Sequence, residues 1–152
     1  MITIDLAEAM AEMDMLISRA SRPYALLARI GGAEAIKAKA RIASTKTDPL
    51  GDGWLPWRPG TERIRERKGN ADLGQLWDSG ELKNSIYFNV AADGVAIGTD
   101  DIIGLYQQDG TYGVGVSETG YHVNPRPFLG WEPDSLDEYE LMTIRYLQGL
   151  PL

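Results

Sequence analysis

The chain has 152 residues, no cysteine, and 15 Lys+Arg against 22 Asp+Glu, a formal net charge of −7. That length is enough for one domain with a real core, the missing cysteine excludes disulfides, cysteine-based zinc sites and thiol nucleophiles, and a composition 43% hydrophobic and 24% charged is neither disordered nor membrane-embedded. No uncharged run approaches the roughly 18 apolar residues of a membrane span, and residues 1–5 lack the basic and apolar regions of a signal peptide, so a soluble protein of a reducing cytoplasm is expected.

Ile2 and Ile4 alternate with polar residues and suit a short strand. Over residues 5–20 a helix is predicted, because Leu6, Ala9, Met10, Met13 and Ile17 recur at spacings of three and four. Pro23 suits the first turn of a second helix, with Leu27, Ile30, Ala33, Ala40 and Ala43 along its buried face. Gly31-Gly32 interrupts that face, and a kink or split is expected there, since each interior glycine costs about 1 kcal/mol against alanine. Residues 47–60 hold three prolines, three glycines and two tryptophans, and read as a long flexible loop. A short charged helix follows over 61–68, ended by Gly69. Asn70 opens a further turn holding Leu73 and Leu76, and Asp78 with Glu81 has capping-box spacing for a turn reaching Leu82.

The period then changes. Residues 85–90 and 95–99 read as two strands joined by Ala92-Asp93-Gly94, the clearest hairpin in the chain. Asp100-Asp101 is placed to cap a short helix over 102–108 that buries Ile102, Leu105 and Tyr106. A glycine-rich, flexible segment spans 110–120. Residues 122–128 are expected back at the sheet, at an edge because of Pro125 and Pro127. Ser135 and Glu138 form a second capping box, opening a terminal helix with Leu136, Tyr139, Met142 and Tyr146 on its face. The whole, residues 1–152, is predicted to be a single α+β domain: a central antiparallel sheet built on a β-hairpin, with N-terminal helices and a C-terminal helix packed on it.

Little in the chain points to chemistry. Gly110-Thr111-Tyr112-Gly113-Val114-Gly115 has no following Lys-Ser/Thr and no strand-turn-helix setting, so it is no phosphate loop. Asp48 and Asp52 lack the alternating ligands and terminal glutamate of a calcium loop. His122 is the sole histidine, without a Gly-x-Ser-x-Gly elbow for a triad or a second imidazole for a metal. Neither enzyme activity, metal nor cofactor is expected.

Contact residues are more informative. Charge is uneven: residues 58–68 carry five basic and two acidic side chains, +3, while residues 131–152 carry five acidic and one basic, −4. These are either two solvated faces or a pair of complementary patches. Trp54, Trp57, Arg63, Arg65, Arg67, Arg126 and Phe128 are the candidate interface residues, because tryptophan and arginine are favoured interface anchors. The alternative for Trp54 and Trp57 is a lid folded back on their own core. For Arg126, held between two prolines, it is a structural ion pair.

The order of these signals resembles the phage virion morphogenesis family, the tail-completion proteins of Mu-like and related tailed phages. The resemblance rests on Trp54 to Pro56 after the Pro/Gly loop, on Leu76-Trp77-Asp78-Ser79-Gly80-Glu81-Leu82-Lys83-Asn84-Ser85-Ile86, and on Val95-Ala96-Ile97-Gly98-Thr99. It continues through Tyr106, Gln108 and Gly110 to Arg126-Pro127-Phe128-Leu129-Gly130 before the acidic terminal helix; Gln107 stands where a histidine is common. The resemblance implies a structural role: a ring-forming subunit, usually hexameric, that ends tail growth and helps join tail to head. Its partners would be itself, the tail tube and neck-connector proteins, and its place the virion tail or neck, assembled in the host cytoplasm. An acidic lumen would pass DNA without specific binding. The basic 58–68 segment and the acidic carboxyl end would supply unlike patches for a ring contact. Two other readings are a DNA-binding accessory module using residues 58–68 and a carboxylate hydrolase, for which nothing singles out a residue.

Overall fold

A computed structural model describes residues 5–111 and 123–152. Over these residues the fold is α+β, with helices packed on a two-stranded antiparallel hairpin. Ile2, Ile4, His122 and most of the 110–120 segment lie outside the described residues.

Helix α1, Leu6–Ala20, starts where its sequence says it should: Asp5 Oδ1 accepts from the Ala7 and Glu8 amides at 2.9 and 3.3 Å. Helix α2, Tyr24–Ala40, runs unbroken through Gly31-Gly32, and the expected kink is absent. The reason is packing. A Cβ on Gly31 would sit 2.6 Å from Val95 Cγ2 and 2.7 Å from Phe88 Cδ2, so the helix gives up propensity to let the hairpin seat directly on its backbone. That seat also turns the helix. Its buried face is Leu26, Ile30, Ala35 and Ala38, continuing to Ile42, one step round from the expected Leu27, Ala33, Ala40 and Ala43. Gly31→Ala is therefore expected to destabilise by about 1–2 kcal/mol despite alanine's better helix propensity, because the overlapping atoms belong to a ring and a branched side chain that cannot swing away. Chemical denaturation would measure it.

A single wider turn, Arg41–Thr45, ends α2, and Lys46 closes it in the left-handed region at φ 57°. The Lys46 ammonium donates to the Ile42 carbonyl and, at 3.0 Å, to that of Gln75, pinning the helix end to the segment before the hairpin. Burial, with the nearby Arg65 charge, lowers its pKa. Residues 47–53 form a tight turn organised by Asp48, whose Oδ1 accepts from the Leu50 and Asp52 amides at 2.8 and 2.9 Å. Helix α3 is Pro59–Lys68, ended by Gly69 in the left-handed region at φ 70°.

The Asp78 capping box does not form. Helix α4, Glu81–Ser85, is preceded by Gly80 at φ 88°, and Asp78 instead receives Arg65 at 3.1 Å, Lys68 at 3.6 Å and the Asn70 amide. Asn70 is thereby drawn away from capping the turn Ala71–Leu73. Strands β1, Ile86–Val90, and β2, Val95–Thr99, pair as read, Ile86 opposite Thr99 and Val90 opposite Val95. Helix α5, Ile102–Asp109, is capped by Asp101, which accepts from the Ile103 amide at 2.9 Å. The side that α5 buries is Gly104, against Thr99, Leu82 and Phe128. Ile102, Leu105 and Tyr106, expected inside, are exposed.

Residues 123–128 run extended without joining the sheet. Pro125 and Pro127 leave only alternate amides for pairing, and these go to α5: the Arg126 amide donates to Gln107 O at 2.6 Å and the Phe128 amide to Gln108 Oε1 at 3.0 Å. Helix α6 is Ser135–Gln148. It turns Tyr139, Met142 and Tyr146 inward as expected, but leaves Leu136 exposed.

Two apolar clusters share α2. One joins Ala35, Ala38 and Ile42 to Trp54, Leu82, Ile86 and Phe128. The other joins Leu26 and Ile30 to Tyr139.

Candidate functional site

The seven candidate contact residues fall into different places. Trp54 and Phe128 are core residues. Phe128 is 0% exposed, and Trp54 is buried with its indole Nε1 donating to Pro127 O at 2.9 Å. In the folded subunit both side chains pack internally, and together they hold the 126–129 segment onto the core. Gln108, quoted above only as part of a motif, is the clamp on the other side. Its Oε1 accepts from the Phe128 and Leu129 amides, both at 3.0 Å, and its Nε2 donates to Leu129 O at 3.0 Å. The two motifs around Gln108 and Phe128 are thus one structural unit. A glutamine side chain offers two donor and two acceptor positions, and the sequence does not say which backbone they meet.

Arg126 is 8% exposed and has no carboxylate partner among the described residues. Its Nη1 donates to Gln107 Oε1 and its Nη2 to Leu55 O, both at 3.3 Å, while Nε is unpartnered. Burial lowers its pKa, the direction expected for a cation held out of water. Among the described residues the structural ion pair considered for it is not formed. Arg126 stands at the back of an open cleft of about 390 Å³ whose walls include Trp57, Arg65, Asp78, Asp101 and Gln107.

The basic helix is divided. Arg65 is turned in: it donates to Trp77 O at 2.7 Å, pairs with Asp78, and lies over the Trp57 ring at 5.3 Å. Trp57, half-buried, is thus one wall of the cleft. Arg63 and Arg67 point out, and among the described residues their side chains bond only to Pro59 O and Arg63 O of their own helix, at 3.2 and 3.4 Å.

The acidic carboxyl end is divided as well. Glu132 pairs with Arg41 at 2.8 Å, and Glu138 with Lys37 at 2.9 Å. Ser135 does not cap α6; its hydroxyl donates to buried Glu34 at 2.9 Å and accepts from Lys37 at 2.9 Å. Tyr139 donates to the same Glu34 oxygen. Two of the five carboxylates expected to face a neighbour are therefore spent inside the subunit, bolting α6 to α2. Burial opposes the Lys37 charge, but the Glu138 hydrogen bond and the surrounding negative charge outweigh it and hold its pKa above 10.5. Burial, then the Glu34 hydrogen bond and charge, push Tyr139 up from 10.0 to about 12. The folded chain thus keeps protons that the unfolded chain has lost above pH 10. Stability contributed by this network is complete below pH about 10 and is expected to fall as pH rises from 10 to 12. Urea midpoints measured between pH 8 and 12 test this, and Tyr139→Phe should flatten the decline.

Among the described residues no helix is long and apolar enough to cross a membrane. The sequence profile of the phage virion morphogenesis family matches residues 4–148. The chain belongs to that family. A member of the phage virion morphogenesis family has a structural role in building a bacteriophage particle, and it is placed with structural rather than catalytic proteins. Within this family member the motif residues Gln108 and Phe128 are internal supports, while among the described residues Arg63, Arg67, the Arg126 cleft and several apolar helix faces are open to solvent. Neither the curated proteins nor the solved structures give a significant match.

Proposed function

We propose that this protein is a ring-forming subunit that completes the phage tail: it ends tail growth and prepares the tail to join the head at the virion's tail end or neck. The observation that carries the reading is how much apolar surface the isolated subunit leaves uncovered within a structural family. Leu6, Met10, Met13 and Ile17 on α1, and Ile102, Ile103 and Leu105 on α5, are all exposed, and surfaces of this kind on a soluble chain mark contact with other proteins. The faces are unlike, which suits a heterologous contact that closes into a ring, hexameric in the arrangement we favour. The tail tube and neck-connector proteins are the further partners of this reading, and the net −7 keeps DNA moving through the ring without holding it.

The DNA-binding alternative is weaker: with Arg65 committed to Trp77 and Asp78, the basic segment keeps fewer free cations for phosphate. Electron microscopy of lysates from phage lacking this protein, with and without the purified protein added back, tests the proposal. Free heads and unjoined or overlong tails that become complete particles on addition support it. Normal particles without the protein overturn it.

A further inference from the structure

We infer that neighbouring copies meet head to tail through two helices: the apolar, acid-flanked face of α1 on one copy and the outer arginine face of α3 on the next. This rests on the self-assembly reading above and names the surfaces it uses.

On α1, Leu6, Met10, Met13 and Ile17 are between 58 and 70% exposed. Their spacing of four, three and four places them along one seam of the helix, the pattern of a helix that packs lengthwise against another. None of the described residues buries it. No residue of α1 is buried, and the helix is tied down near its end, where Arg19 donates to Leu147 O at 2.6 Å. A 15-residue helix in water draws most of its stability from tertiary packing, so this seam is built for a surface that the subunit does not contain. Asp5, Glu8, Glu12 and Asp14 surround it, all exposed and none in an ion pair among the described residues.

The outer face of α3 has the opposite character. Arg63 and Arg67, one turn apart, flank exposed Ile64, and among the described residues both guanidiniums hydrogen-bond only to carbonyls of their own helix. The basic cluster and its apolar centre match the acidic rim and apolar seam of α1 in sign and in type. Two α1 helices brought together would instead set four carboxylates against four. The exposed Asp137 and Glu140 of α6 are the competing acidic surface. Because α1 and α3 are different patches of one subunit, each copy offers one of each, and the contact propagates from copy to copy until it closes.

Charge exchange in the full-length chain tests the pairing. One variant carries Glu12→Lys and Asp14→Lys, sparing the helix-capping Asp5; the other carries Arg63→Glu and Arg67→Glu. Sedimentation and light scattering read the assembly, and far-UV circular dichroism verifies the fold of each variant. Each variant alone should lose at least about tenfold in association constant, and mixing the two, or joining all four substitutions in one chain, should restore it. Only direct apposition of the two helices predicts that rescue. The inference is overturned if both variants assemble like the wild type, if mixing fails to rescue, or if Asp137→Lys with Glu140→Lys rescues the α3 variant instead; the self-assembly reading survives those results. A wild-type chain that stays monomeric and resists cross-linking at high concentration overturns both.

Discussion

Phe128→Ala should lower the unfolding free energy by about 3–5 kcal/mol, the largest effect expected of any single substitution in the chain. The ring is completely enclosed, and it lies between α2, the Trp54 side chain, Leu82 and the backbone of α5 at Gly104. Those surroundings belong to elements tied down elsewhere: Gln108 holds the Phe128 amide, and Arg41 donates to the Phe128 carbonyl at 2.9 Å. The site therefore collapses poorly, and a cavity adds to the lost transfer energy. Phe128→Leu, which keeps most of the volume, should cost well under half as much. Urea unfolding of the monomeric protein measures both. The result separates two roles for this motif: a core residue lowers monomer stability, whereas an interface residue would weaken assembly and leave the monomer unchanged.

The second large effect is expected at Glu34. It is 3% exposed and is the shared acceptor of Ser135 and Tyr139, with the Lys37 ammonium 3.5 Å away. Removing it in Glu34→Ala strands two buried hydroxyls and leaves Lys37 with Glu138 and the more distant Glu132, so a loss of about 3 kcal/mol is expected. Glu34→Gln keeps an acceptor oxygen for both hydroxyls and should cost about 1 kcal/mol. The alkaline decline should respond too: in the glutamine variant Tyr139 loses the neighbouring negative charge that helps hold its proton, so its pKa moves back toward 10.0 and the decline, still starting near pH 10, should be smaller and end at lower pH. If alanine and glutamine proved equally mild, the junction between α2 and α6 would depend on the Tyr139 packing alone.

Local signals in the sequence were legible where the partner is local. Asp101 caps its helix, Gly69 ends α3, and the hairpin forms where it was read, because each depends on neighbours a few residues away. The misreadings share one cause, which is competition from distant partners. Asp78 and Ser135 have the spacing of capping boxes, but charged groups from α3 and α2 take them first. Gly31-Gly32 looks like a break until Phe88 and Val95 arrive to fill the place of a side chain. Periodicity shows that α1 and α5 are amphipathic, yet it does not say whether the covering surface lies in the same chain. It places Ile102, Leu105 and Tyr106 of α5 inside, where the fold leaves them exposed. Similarly, tryptophan and arginine mark anchors by type, but Trp54 and Arg65 found their partners inside.

The uncovered face of α1 also gives the molecule a chemical weak point. Met10, Met13 and Met15 all stand at least half exposed on that one helix. Oxidation of a methionine thioether to the sulfoxide replaces a flexible apolar side chain with a polar one. A chain without a single cysteine is safe from thiol damage, but here the exposed sulfur of the described residues is gathered on one apolar helix. Ageing in air or peroxide would thus act on that helix while sparing the half-buried Met142, and the folded core would outlast it.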